Sequence, residues 1–276
     1  MKSYAKIANL RLNYLAAIWP NKLSVVPVFP ELMKRFEQKI VLITGASTGI
    51  GLATIDRIQQ EGGIVYGAHR DKGADLLGAR SIHLDVTKEA DWKAAIEEIM
   101  TKSGRLDVLV NNAGTRASGT VEETDLNLWY HLIDTNLTST FLGCRAAVPA
   151  IRKSGGGAIV NVSSITGIRG TENMVAYSAS KSGIVSMTSS LALDLAKENI
   201  RVNAVCPAAI RTQMVTSWIA QSSDEKAAEE ALLHKHPIGR IGEAKDVAGV
   251  IAFLASEDAA FMTGLAIPVD GGRSIR

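Results

Sequence analysis

The chain has 276 residues, 46% hydrophobic and 21% charged, with 24 glycines and seven prolines, which bounds it to a globular α/β protein able to bury a sizeable core. The net charge is +2 but uneven: residues 1–36 hold six basic side chains and one acid, Glu31, while the remainder holds 24 basic and 27 acidic residues. That balance excludes a nucleic-acid face on the body of the protein.

The first segment contains "LNYLAAIW", too short to span a membrane, so no membrane partner is expected. Its basic, acid-poor start has the look of a signal or transit segment, without a clear small-x-small cleavage pattern. Pro20, Pro27 and Pro30 make "PNKLSVVPVFP" an extended connector. Residues 1–38 are therefore expected to be an N-terminal extension or linker outside the catalytic fold, or an upstream start-site artefact.

From Lys39 onward short apolar strands alternate with amphipathic helices. "KIVLIT" (39–44) is too apolar for a half-exposed strand and reads as a central parallel strand. A glycine turn at 45–51 leads into a helix through about residue 60, and strands follow at 63–69 and 79–86. A helix at 89–103 precedes a fourth strand within 105–114, and one long helical region is expected over 125–153. Strand 158–164, helix 176–199 and strand 200–207 come next. Then follow an irregular region with short helices at 208–240, a helix at 243–256 and a last strand at 264–272. This alternation predicts a single α/β domain over 39–276 with a Rossmann-type doubly wound parallel sheet. Cys144 and Cys206 lie in apolar stretches without CxxC spacing and read as buried free thiols of a reducing, cytoplasmic protein. The histidines offer no metal set, and His234 and His236 in "LHKHPIGR" read as surface or substrate-loop residues.

"TGASTGIG" (44–51) sits between a buried strand and a helix, the context that a dinucleotide-binding turn requires. Gly45 allows the tight turn, Gly49 lets backbone approach a pyrophosphate, and Gly51 permits close helix–strand packing. Further along, "YSASK" places Tyr177 and Lys181 on one helix face, a spacing that chance supplies roughly once in three or four such chains.

Together these stretches resemble the short-chain dehydrogenase/reductase family. The resemblance rests on TGxxxGxG, "NNAG" (111–114), Asn136 in "TNLTSTF", Ser164 in "VNVSS", "YSASK", "RVNAVCPAAIRT" and "MTGLAIPVDGG", in that order over 39–272. Ala208, where the family often has glycine after the proline, is a mild departure. The resemblance implies hydride transfer between a nicotinamide cofactor and a secondary alcohol or ketone, with Tyr177 as acid and base. It also implies that Lys181 bonds the nicotinamide ribose, Ser164 holds the substrate oxygen and Asn136 anchors a water of the proton relay. Physically, Lys181 and an oxidised nicotinamide should both lower the Tyr177 pKa.

Cofactor contacts carried over by resemblance are Gly45, Ser47, Thr48, Gly49, Ile50, Gly51, His69, Arg70, Asp85, Val86, Asn112, Ala113, Gly114, Tyr177, Lys181, Pro207, Ile210 and Thr212. Asp85 resembles the acid near the adenine amino group, and Thr212 the residue that holds the carboxamide. An NAD-linked member usually carries an acid at the end of the second strand to hold the ribose 2′-OH. Here His69 stands there, followed by Arg70, which could fork onto a 2′-phosphate, so NADP(H) is favoured over NAD(H). Asp71 leaves the NAD alternative open.

Substrate contacts are expected from Ser164, Thr166, Met174, Met214 and Trp218; the set Met214, Val215, Trp218 and Ile219 could equally be the inner face of a short helix. Arg152 and Lys153 read as a solvated helix end, with docking of an acidic carrier as the other reading. The alternatives are a 3-oxoacyl-thioester (acyl-carrier) reductase, a cofactor-sensing regulator without turnover, and a sugar-nucleotide epimerase, which the glycine spacing disfavours. The family resemblance also implies a homotetramer or homodimer, built on the long helices and the last strand.

Overall fold

All five residues of the first strand, β1 (Ile40–Thr44), are buried, and the computed structural model, which describes residues 34–70 and 75–276, shows why. Ile40 and Leu42 face one helical layer while Val41 and Ile43 face the other. A strand covered on both sides has no polar face to alternate with, hence the continuous apolar run. The chain continues through α1 (Gly49–Gln60), β2 (Ile64–His69), β3 (Arg80–His83), α2 (Glu89–Ser103) and β4 (Val108–Asn111). Next come α3 (Leu126–Leu132), a π-helical segment (Ile133–Thr138), α4 (Ser139–Lys153), β5 (Gly157–Val162), α5 (Val175–Leu195) and β6 (Ile200–Pro207). The elements α6 (Gln213–Ala220), α7 (Glu225–His234), α8 (Ala244–Ala255) and β7 (Ala266–Val269) complete the fold.

The strands form one seven-stranded sheet in the order β3-β2-β1-β4-β5-β6-β7, parallel throughout. Val41 pairs with Val65 on one side and Val108 on the other, so the connectivity reverses between β1 and β4. At that switch point the two C-terminal strand ends open a crevice, the usual ligand site of such sheets. One layer packs Ile55 and Ile58 of α1 and Val247, Ile251 and Leu254 of α8 on the sheet. The opposite layer packs Trp92 and Ile99 of α2, Ala147 and Ile151 of α4 and Leu195 of α5.

Three expectations change. β3 and β7 are shorter than the apolar stretches 79–86 and 264–272, because edge-proximal residues find fewer ladder partners. The helical region 125–153 is interrupted by a π-helical turn at Ile133–Thr138, and it carries Asn136. The packed body starts at Lys34 and not at Lys39: Phe36 is 1% exposed in the core, and Arg35 forks onto Glu61 at 2.6 and 2.7 Å. The rest of the extension, residues 1–33, lies outside the described residues. Among the described residues no helix is long and apolar enough to cross a membrane.

Candidate active site

Thr44 closes β1 and turns its hydroxyl onto the next loop, accepting hydrogen bonds from Asn112 N and Ala113 N, each at 3.0 Å. Asn112 answers by donating Nδ2 to the carbonyls of Thr44 at 2.8 Å and Gly45 at 3.0 Å. The "TG" and "NNAG" stretches are thereby one unit, which explains why both motifs are needed. Gly45 has φ +60°, and a Cβ on Gly51 would stand 2.3 Å from the Gly45 carbonyl oxygen. A Cβ on Gly49 would approach Thr212 Cγ2 at 3.0 Å, so the glycine leaves room for the loop after β6.

A cavity of about 430 Å³ runs along these strand ends. Ser47, Thr48, Gly49 and Ile50 line it where α1 begins. Thr48 makes no side-chain cap and the first turn of α1 carries no acid, so its amide donors and the helix dipole are available to an anion. A dinucleotide's pyrophosphate fits this cradle.

At the end beside β2 and β3, His69 and Arg70 also line the cavity, with Asp85 and Val86. His69 is 8% exposed, its Nε2 is 2.7 Å from Ser81 Oγ, and its buried Nδ1 has no partner among the described residues. Arg70 is exposed at the rim. The Asp85 carboxylate accepts from Thr87 N and Oγ1; that hydroxyl above all, then the Thr87 amide and the charges of Lys88 and Arg70, holds its pKa down against partial burial. Asp71, the NAD alternative, lies outside the described residues.

At the other end Ser164, Tyr177 and Lys181 line the cavity together with Thr115, His131 and Thr135. Ser164 leaves β5 and caps a 3₁₀ turn (Ile165–Gly167), accepting from Thr166 N at 3.2 Å. Tyr177 and Lys181 stand one turn apart on α5, and Lys181 Nζ lies 5.8 Å from the Tyr177 ring centroid while donating to Val162 O at 2.9 Å. Lys181 is 4% exposed, and burial pulls its pKa down to about 8. Burial pushes the Tyr177 pKa up, opposed by the Ser164 hydroxyl and by the charge of Arg116. Burial thus dominates where Lys181 was expected to lower Tyr177, and the groups that oppose it are the Ser164 hydroxyl and the guanidinium of Arg116, a residue that the motifs did not flag.

Asn136 is fully buried behind this face. Its Oδ1 accepts from Thr115 N at 2.8 Å, and its Nδ2 donates to Thr115 O and Ser180 Oγ, both at 3.0 Å. The π-helical turn aims the amide at the loop after β4 and joins that loop to α5.

Comparison with known proteins bears on this geometry. A family model described as enoyl-(acyl carrier protein) reductase matches residues 45–274. A trans-4-hydroxycyclohexanecarboxylate dehydrogenase of Sinomonas cyclohexanicum is 37% identical over 87% of this chain and 94% of its own. A 3-alpha-(or 20-beta)-hydroxysteroid dehydrogenase of Mycobacterium tuberculosis is 37% identical over 85% and 88%. The ligand-free aldohexose dehydrogenase of Thermoplasma acidophilum superposes with a TM-score of 0.83 at 38% identity, over 88% of this chain and 96% of that one. The chain belongs to the short-chain dehydrogenase/reductase family. It is an oxidoreductase that acts on CH–OH groups with a nicotinamide cofactor.

Within this short-chain dehydrogenase/reductase the sequence-derived residues fall into three groups. Ser47, Thr48, Asn112, Ala113, Gly114, Pro207, Ile210 and Thr212 line the cavity, as do Ser164, Tyr177, Lys181 and Met214. Gly51 and Asn136 act from behind it. Thr166, Met174 and Trp218 are not brought to its wall: Thr166 and Met174 are 7% and 8% exposed, and Met174 bridges to Gly119. The set in α6 divides, since Met214 and Val215 line the cavity while Ile219 packs with Leu232 and Ile241. His236, expected at the surface or in a substrate loop, is 3% exposed and donates Nδ1–H to Leu232 O, because it packs under the 270–272 turn; His234 is exposed.

Proposed function

We propose that the protein is an NADP(H)-linked oxidoreductase of secondary alcohols and ketones in which Tyr177 is the proton donor and acceptor. The observation that carries this reading is the convergence of Ser164, Tyr177 and Lys181 on a cavity whose far end is the glycine turn. A bound nicotinamide dinucleotide supplies or accepts the hydride. Ser164 Oγ and Tyr177 Oη hold the substrate oxygen, and Tyr177 gives its proton to the forming alkoxide or takes it from the alcohol. Lys181, poised near neutrality at about 8, anchors the cofactor ribose and carries the charge that keeps Tyr177 competent. Asn136 positions the loop after β4, its remaining Oδ1 lone pair being the place for a relay water.

The preference for NADP(H) rests on His69 and Arg70 at the rim, where a guanidinium meets a 2′-phosphate and no acid stands at position 69. Fluorescence titration should give tighter binding of NADPH than NADH, and Arg70→Ala should weaken NADPH by about ten- to a hundredfold while changing NADH little. Tighter NADH binding in the native protein would overturn the assignment.

Ring alcohols named for the relatives, together with Met214 and Val215 on the wall, support a cyclic secondary alcohol; a ketone and alcohol panel read at the nicotinamide absorbance tests it. Of the two basic residues read as a carrier-docking patch, Arg152 is paired with Glu198, at 2.8 and 2.9 Å.

A homotetramer is supported by large apolar side chains left exposed on the elements expected to join copies: Tyr130 on α3, Phe141 on α4, Leu193 on α5, and Phe261 and Leu265 before β7. Sedimentation should give the tetramer mass, and Phe261→Glu should shift it toward smaller species; a native monomer would refute the assembly. Cys144 and Cys206 are buried free thiols, Cys144 pushed up to about 12 by burial, which suits a reducing cytoplasm.

A further inference from the structure

The loop after β4 is fastened at both ends to the catalytic elements. Thr115 is tied through its N–H and carbonyl to Asn136 of the π-helical turn. Gly119 donates its N–H to Asn173 O at 2.8 Å and bridges to Met174, three residues before Tyr177. Arg116 is held between these fastenings. Its guanidinium carbon lies 5.3 Å from the Trp218 ring centroid, so the side chain crosses from the loop to α6. It is half-buried, and among the described residues no carboxylate pairs with it.

Arg273, in the turn after β7, is also half-buried without a carboxylate pair among the described residues, and the charge of Arg116 reaches it. Its nearest acid, Asp270, spends its oxygens on Gly272 N and Ser274 N. Arg169 adds a third, exposed guanidinium, which donates to the Arg273 carbonyl and, at 3.5 Å, to Arg276 O, so that among the described residues it is Arg116 and Arg273 that lack a counter-ion. Burial lowers the pKa of Arg116 and of Arg273; Arg169 and Arg116 lower Arg273 further, against Asp270, while Tyr177 acts on Arg116 in the opposite sense. Like charges drawn partly out of water without a counter-ion are unfavourable, and the arrangement becomes favourable once an anion enters. The pyrophosphate cradle belongs to the β1–α1 turn, so a cofactor phosphate is not that anion.

We propose that Arg116 and Arg273 form an anion subsite beside Tyr177 that receives a carboxylate carried by the substrate, which makes the substrates hydroxy acids and the corresponding oxo acids. This rests on the reading of Tyr177 as the acid and base. The cation–π contact with Trp218 holds the Arg116 guanidinium, whose planar fork suits an acceptor with two coplanar oxygens, which a carboxylate supplies. Met214, on the cavity wall, then covers the apolar body between the carboxylate and the reacting carbon.

Binding and turnover are measured separately to test this. Cyclohexanecarboxylate and cyclohexanecarboxamide are titrated calorimetrically into the full chain loaded with NADP⁺, for the native protein, Arg116→Gln, Arg116→Lys and Arg273→Gln. The carboxylate should bind the native protein about tenfold or more tighter than the amide. Each glutamine variant should lose most of that difference, Arg116→Lys should recover part of it, and added NaCl should weaken the carboxylate alone. In turnover, 3-hydroxycyclohexanecarboxylate should surpass its methyl ester through a lower KM. Equal binding of acid and amide by the native protein, or loss of both alike in Arg116→Gln, overturns the subsite. Arg116-dependent carboxylate binding with no turnover of any alcohol sinks the reading of Tyr177 and leaves the subsite standing. Turnover of neutral alcohols without carboxylate preference does the reverse. Should a glutamine variant fail to fold, Arg116→Lys and the salt dependence of the native protein decide.

Discussion

Tyr177→Phe is expected to lower kcat by about a thousandfold, within the hundred- to ten-thousandfold range of a positioned acid–base group, while NADPH quenching is retained. The substitution removes only the hydroxyl and keeps the ring against which Lys181 Nζ stands. Burial holds the Tyr177 pKa above its ordinary value, so the phenol is protonated near neutrality, the form that ketone reduction uses. Alcohol oxidation needs the opposite form, so its rate should climb with pH through the alkaline range while reduction falls there. The slopes should vanish in Tyr177→Phe. Rates within tenfold of the native enzyme, or an unchanged pH profile, would remove Tyr177 from the mechanism. Stopped-flow single turnovers are the appropriate measurement, because steady-state rates in such enzymes can report cofactor release.

Much of this was readable from residue order because the signals are local. A five-residue apolar strand buried on both faces, a glycine turn and an uncapped helix start say what they are without distant partners, and the sheet followed from their alternation. "NNAG" was readable as a motif, yet its reason, the reciprocal bonding of Asn112 and Thr44, is tertiary. The π-helical turn was not readable: "IDTNLT" continues a helical pattern, and the distortion follows from bonds that Asn136 makes to Thr115 and Ser180. Arg116 drew no reading from the sequence, since nothing nearby announces that it will lie over Trp218. His234 and His236 alternate identically in sequence, and only the packing of the 270–272 turn buries one and exposes the other. The residues missed are those whose roles depend on partners far along the chain.

Lys181→Met is expected to stabilise the cofactor-free protein while lowering turnover by at least about a hundredfold. Lys181 is 4% exposed, and burial pulls its pKa from 10.5 to about 8. In the unfolded chain the ammonium titrates near the higher value, so below about pH 8 both states are protonated and the folded state bears the full penalty, roughly 3 kcal/mol. Between about 8 and 10.5 the unfolded chain binds more protons, and the native protein gains stability as pH rises. Above that window the penalty is gone. Methionine fills similar space without the charge, but leaves Val162 O without its 2.9 Å donor, which returns about 1 kcal/mol of the gain. Urea unfolding at pH 7 should therefore show the variant more stable by about 2 kcal/mol, and the gap should narrow by pH 10. Tyr177 titrates in both proteins and largely cancels from the difference. A variant less stable than the native protein at pH 7, or a gap that widens with pH, would show that Lys181 is held without strain. The expected result instead makes Lys181 a group retained at a cost to the fold, because a buried cation beside Tyr177 is what the chemistry requires.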